Sequence, residues 1–249
     1  MSDTLLVTIV IGPLYQRMYK ALFYENHKAF ARKFGYDIHV ATDFLDKKQA
    51  HSCFISLQKS LVCSQAFSAR YKKLIYVDAD ILFNLQNASP QDLLVDNEKI
   101  YIADEFSQPS PNTRLEIQRL NNWERTATDY YALAGLELET GSVLNTGFMV
   151  LCPDLHKNIL EDIYAEATRI GFNHPRGGFH FEQAMIGYAF QKNNCWKMLP
   201  NEWNALWAIQ KLAPGNSISL SDFFAQNKAV HFAGKSDINL IPGLQANTY

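Results

Sequence analysis

The run Leu74-Ile75-Tyr76-Val77-Asp78-Ala79-Asp80-Ile81-Leu82-Phe83 decides the fold. Its leading apolar residues, rich in β-branched and aromatic types and too few for a buried helix, predict a fully buried strand that carries two carboxylates to its end. In extended chain the side chains at i and i+2 point the same way, so Asp78 and Asp80 are expected to face one ligand while Ala79 faces away. Ligands of open α/β sheets collect at the carboxyl ends of the strands, where this pair falls in a mainly parallel sheet. Adjacent ionised carboxylates repel, and a divalent cation removes that penalty; oxygen ligation suits Mg²⁺ or Mn²⁺. Asp is equally at home capping the turn after a core strand, so both readings of the pair stand at this point.

Upstream, Leu5 to Ile11 reads as a buried first strand ended by Gly12-Pro13. Tyr15 to Phe34 has helical spacing and is closed by Gly35 as a left-handed cap, and Tyr36 to Ala41 reads as a second strand. This βαβ opening predicts a parallel pair with a right-handed crossover. Neither a dinucleotide fingerprint nor a P-loop follows the first strand, so phosphates must be held otherwise. Phe54 to Ser68 predicts a helix leading into the Asp78 strand; it carries Lys59, which, like Arg70, can reach a diphosphate or stay solvated. Downstream, Ser89-Pro90-Gln91-Asp92 resembles a helix start and Ile100 to Ala103 a short strand. Asp104 to Thr140 is a polar insertion whose Trp123, Tyr130 and Tyr131 either stack on sugar or anchor it to the core. Val143 to Leu151 is a strand run broken by Asn145-Thr146-Gly147, where glycine marks a bulge or a close approach of backbone to a ligand. A helix is expected from Pro153 to Ile170, then a Gly-rich loop over Asn173 to His180. Another helix opens at Glu182-Gln183, where an acid is also favoured by the helix dipole alone. Lys228 to Phe232 is a last strand ending in Gly234-Lys235.

The 249 residues are 47% hydrophobic, enough for the core of one α/β domain. A formal charge of −2 gives no nucleic-acid footprint. Cys53, Cys63, Cys152 and Cys195 lack metal-site spacing and read as free thiols of a reducing, cytoplasmic setting. The first apolar run is too short and wrongly flanked for a signal peptide. No window reaches the roughly twenty apolar residues of a membrane span, which leaves a soluble or peripherally membrane-associated protein.

Taken in order, Tyr76-Val77-Asp78-Ala79-Asp80, Leu144-Asn145-Thr146-Gly147, Glu182-Gln183, Leu199-Pro200 with Trp203-Asn204, and His231-Phe232-Ala233-Gly234-Lys235 resemble one group. It is the nucleotide-sugar glycosyltransferases of GT-A fold, of the glycogenin and bacterial lipopolysaccharide galactosyltransferase type, with similar small microbial or viral enzymes. The resemblance implies a single GT-A, Rossmann-like domain over 1–249 with a mixed, mainly parallel central sheet flanked by helices. Its nucleotide-binding half would span about 1–103 and its acceptor and sugar half about 104–249. It implies metal ligation by Asp78, Asp80 and His231, a nucleoside near Thr8, Val10 and Gly12, and a donor sugar near Asn145 and Gly147. Lys59, Gln183, Gly234 and Lys235 complete the donor set, and Glu182 and Asp80 are the expected catalytic residues. The chain departs from the family's HxxGxxKPW pattern, since Lys235 follows Gly234 directly and no Pro-Trp comes after it. The expected activity is metal-dependent transfer of a hexose from a nucleotide diphosphate sugar, with uridine the favoured base, to a hydroxyl of a glycan or other acceptor, using Mn²⁺ or Mg²⁺. Two rivals are kept. One is a haloacid-dehalogenase-like phosphatase or phosphotransferase, which usually has Thr or Val where this chain has Leu82. The other is a noncatalytic module that binds nucleotide sugars.

Overall fold

A computed structural model describes residues 2–49, 55–89, 93, 96–123, 126–170 and 181–245. Cys53, Phe54, the Pro90-Gln91-Asp92 helix start and the Asn173 to His180 loop lie outside the described residues. The central sheet has six strands in the order β2-β1-β3-β6-β5-β7. These are β1 (Thr4–Ile9), β2 (Asp37–Ala41), β3 (Lys73–Val77), β5 (Ile100–Asp104), β6 (Leu144–Leu151) and β7 (Trp196–Met198). β1 pairs in parallel with β2 and β3, and β5 with β7, while β6 is antiparallel to both its neighbours. The sheet is therefore mixed and mainly parallel, as expected.

Alternation along the strands builds a core on each face. Leu5, Val7, Leu74 and Tyr76 pack with Leu57, Leu61, Leu160 and Ile186 on one side. Leu6, Ile75 and Val77 pack with Phe30, Phe83, Phe148 and Trp203 on the other. Helix α5 (Pro153–Ile170) and helix α6 (Phe181–Lys192) belong to the first layer. The helix expected over 15–34 is two helices, α1 (Pro13–Leu22) and α2 (Tyr24–Phe34), broken at Phe23, whose φ of −124° leaves the helical region. Phe23 is fully buried in a third core, so packing has overridden local propensity there. Gly35 closes α2 at φ 68°, as its residue type requires. The helix expected over 54–68 is a 3-10 helix, Ser56–Ser64. In the insertion, α3 (Pro111–Asn121) starts on a Ser110 cap and α4 (Ala127–Leu133) on a Thr126–Asp129 capping box. Tyr130 and Tyr131 are buried in its core, the anchoring reading, whereas Trp123 is exposed.

The opening stretch needs the main correction. The strand ends at Val77; Asp78 to Asp80 form a turn closed by Ile81 N–H donating to Asp78 O at 3.2 Å. The chain then enters β4 (Ile81–Phe83), which joins a second sheet of order β4-β9-β8, with β8 (Ala205–Leu206) and β9 (Ala229–His231). A core of Leu82, Val230, Phe232, Phe223 and Trp207 covers this smaller sheet. The residues contributing to it come partly from α7 (Trp207–Lys211) and α8 (Leu220–Gln226).

Candidate functional site

The β3–β4 turn is held from two sides. Asp78 N–H donates to Gly147 O at 2.7 Å, and Phe232 N–H donates to Asp80 O at 2.9 Å. Antiparallel pairing of Ile81 with His231 sets the imidazole beside the turn. His231 Nε2 lies 3.3 Å from Asp80 Oδ1 and 4.0 Å from Asp78 Oδ2. One ligand atom from each of Asp78, Asp80 and His231 falls within 4.8 Å of the others, so the three could hold a metal ion. Two carboxylates and an imidazole, without a thiolate, form a donor set that fits a divalent cation accepting oxygen and nitrogen. The acids converge through the turn and a strand some 150 residues away, not through extended i, i+2 geometry.

Beneath the turn, the buried Lys59 Nζ lies 3.0 Å from Asp78 Oδ1 and 3.8 Å from Glu182 Oε1. It also donates to Thr146 Oγ1 at 3.2 Å and sits 5.4 Å from the Tyr76 ring centroid. Tyr76 O–H donates to Asp78 Oδ1 at 2.7 Å. Burial opposes charge on Lys59, but attraction to Asp78 and then Glu182 outweighs it and raises the lysine pKa. Burial likewise opposes charging His231, yet Asp80, by attraction and hydrogen bond, and Asp78 raise its pKa. Burial pushes the Asp80 carboxyl up, and the attraction and hydrogen bond of His231 prevail to hold it below its ordinary value. Tyr76 is pushed well up, by burial first and Asp78 second, and so stays a phenol that donates.

On the far side of His231 runs a chain of polar groups. His231 Nδ1 is 3.0 Å from Asn204 Oδ1, and Asn204 Nδ2 donates to Asn145 Oδ1 at 2.8 Å. Asn145 Nδ2 donates to Glu105 Oε2 at 2.9 Å, as Gln183 Nε2 does at 3.0 Å. Arg114 Nη2 donates to Glu105 Oε1 at 2.7 Å. Both ends of this ion pair are largely buried.

The metal cluster and Glu105 face a cleft of about 550 Å³. Of the residues singled out from sequence, Asp78, Asp80, Asn145, Glu182, Gln183, His231 and Gly234 line it. Lys59 reaches it through its contacts with Asp78 and Glu182. Gly147 backs the His231 ring: a β-carbon there would lie 2.4 Å from His231 Cε1. Lys235 sits at the rim with Nζ 4.3 Å from the centroid of the Tyr15 ring, and Tyr15 itself lines the cleft. Val10 lines a separate hollow with Tyr19, Tyr24 and Val40. Gly12 precedes α1 at φ 98°, and Thr8 is buried with its hydroxyl unpartnered among the described residues. Sequence reasoning gave no site role to Tyr15, Tyr76, Glu105, Arg114, Thr146 or Asn204. Glu105 follows a strand end as Asp78 does, and that position was its one visible signal.

No family model matches the chain, and no curated protein matches it. Solved structures do. A glycosyltransferase involved in glycosylation of the major capsid of PBCV-1 is 12% identical with a TM-score of 0.63, the match covering 98% of each chain. The galactosyltransferase LgtC, in complex with donor and acceptor sugar analogues, is 8% identical with a TM-score of 0.58, covering 98% of this chain and 96% of that one. The bifunctional glycosyltransferase WbbM is 15% identical with a TM-score of 0.60 over 99% of this chain, which spans 50% of WbbM. At these identities the likeness is one of fold: the chain shares the fold of these glycosyltransferases and carries a candidate acidic and histidine metal cluster. Among the described residues, no helix is long and apolar enough to cross a membrane.

Proposed function

We propose that the protein is a metal-dependent glycosyltransferase that moves a hexose from a nucleotide diphosphate sugar, a uridine donor first, to a hydroxyl of a glycan or other acceptor. The observation that carries this reading is the convergence of Asp78, Asp80 and His231 at a cleft that also holds Glu182 and Gln183, in a fold shared with glycosyltransferases. The imidazole favours Mn²⁺ over Mg²⁺. Held by these three residues, a divalent cation supplies charge neutralisation for a departing diphosphate. Glu182 acts on the sugar or the acceptor hydroxyl, a reading supported by its lining the cleft from the first turn of α6. In an inverting enzyme it removes the hydroxyl proton; in a retaining one it orients the sugar and steadies positive charge on it. Lys59 pairs with both Asp78 and Glu182 and offsets the repulsion between the two carboxylates. Asn145 and Gln183 offer amides to sugar hydroxyls, and Lys235 a point charge to phosphate. The chain as a whole is read as one catalytic domain over 1–249, with the nucleotide half N-terminal.

Incubation with Mn²⁺ and a panel of nucleotide sugars tests this. The expected result is slow release of nucleoside diphosphate, led by uridine donors and lost in Asp80→Ala. Release of inorganic phosphate from phosphomonoesters, with no diphosphate from any donor, would instead make it a phosphatase. Donor binding without release under any acceptor would make it a binding module.

A further inference from the structure

We propose that Asn204 is a positioning residue that fixes the tautomer of His231, and that its own orientation is imposed by Asn145 and, behind it, by the Arg114–Glu105 pair. The inference rests on the metal-site reading above, and it follows from which groups can donate and which can only accept. A backbone N–H only donates, and that of Gly147 points at the side-chain oxygen of Asn145 at 3.0 Å. A guanidinium also only donates, and Arg114 occupies one oxygen of Glu105 at 2.7 Å, marking that carboxyl as an acceptor. The other Glu105 oxygen receives the Asn145 amide nitrogen at 2.9 Å. Turning Asn145 over would set N–H against N–H at Gly147 and oxygen against oxygen at Glu105, so its orientation is determined twice. The Asn145 oxygen then requires a donor from Asn204 across 2.8 Å, which leaves the Asn204 oxygen facing His231 Nδ1 at 3.0 Å. Asn204 is fully buried, so water offers no substitute partner at this contact.

The consequence is that Nδ1 carries the proton and Nε2, the nitrogen turned toward Asp80 and Asp78, keeps its lone pair for a cation. Electrostatics between His231 and Asp80 alone would put a single ring proton on Nε2, where it blocks ligation. The relay opposes that choice. It also joins the metal side of the cleft to the Glu105–Gln183 side, since one carboxylate serves both amides.

The test has two arms. Calorimetry with Mn²⁺ alone compares the full-length wild type with Asn204→Leu. The leucine removes the acceptor and should weaken binding about 10–100-fold, the usual cost of losing such a partner. Leucine binding as tightly as wild type would overturn the proposal. The second arm needs no variant: nitrogen-edited NMR of the metal-free wild type, with the ring singly protonated, should show a slowly exchanging proton on Nδ1. A proton on Nε2 overturns the relay whatever the variant does. If the wild type binds no Mn²⁺, the metal reading fails by itself, and the NMR arm still decides the tautomer.

Discussion

At Lys59 a buried ammonium stands 3.0 Å from one carboxylate of the cleft and 3.8 Å from another. Such a group is tolerated in a core only because its partners supply what water would have given it. Its site role was visible in the sequence only as one of two cations upstream of the Asp78 strand; Arg70, the other, pairs with Asp37 at the surface. The same contact frames a prediction for Glu182. Glu182→Gln keeps the side-chain shape and leaves Lys59 its Asp78 partner, so folding and donor affinity should hold while transfer falls about 10²–10⁴-fold. Rate assays beside uridine diphosphate calorimetry check it; unchanged turnover would return Glu182 to a dipole role at the start of α6.

Element geometry explains why Gly147 and His27 matter. β5 and β6 slip register between Ile102 and Ala103, so that β6 carries the extra residues Thr146, Gly147 and Phe148 in a bulge. That bulge turns Gly147 against His231, leaving no room for a side chain. Gly147→Ala should cost about 1–3 kcal/mol by overpacking and weaken Mn²⁺ binding, measured by urea unfolding and calorimetry; full retention of both would show that the strand yields. β4 is pinned from behind by α2, where His27 Nε2–H donates to Ile81 O at 2.7 Å and Tyr19 O–H donates to Nδ1 at 3.1 Å. Burial pushes the His27 pKa down to about 4, against about 6.5 in an unfolded chain. Between those values the unfolded state binds the extra proton, so stability is intact above pH about 6.5 and falls by up to about 3 kcal/mol toward pH 4. Urea titrations of wild type and His27→Gln across this window should differ in slope; parallel curves would remove His27 from the acid sensitivity. The glycine in the strand run was legible as a bulge or close approach, but not which group would approach.

For the whole molecule, the cleft lies where the six-stranded sheet meets the three-stranded one, because β3 ends in one and β4 begins in the other. A ligand bound across that junction should stabilise the entire fold. Mn²⁺ with uridine diphosphate at about a hundred times the dissociation constant adds about 2.7 kcal/mol. For a chain of this size that is about 5–10 °C in the melting temperature. Mn²⁺ or nucleotide alone should give less, and no shift with both together would count against a joint site. What the sequence determined by itself was the local layer. The β-branched runs became β1, β3 and β6, and Gly35 the cap of α2. The strand-end carboxylates and the resemblance of five short stretches pointed to the right fold and to the cleft residues. These are readings of period, residue type and spacing, which act within a few residues of themselves. The tertiary structure alone decided the break at Phe23, the turn that replaces an extended Asp78–Asp80 strand, and the path from Arg114 through Glu105, Asn145 and Asn204 to His231. Each depends on contacts between residues tens to more than a hundred positions apart, and the directionality of a buried hydrogen bond is set by the partner it meets, which neighbours in sequence do not specify.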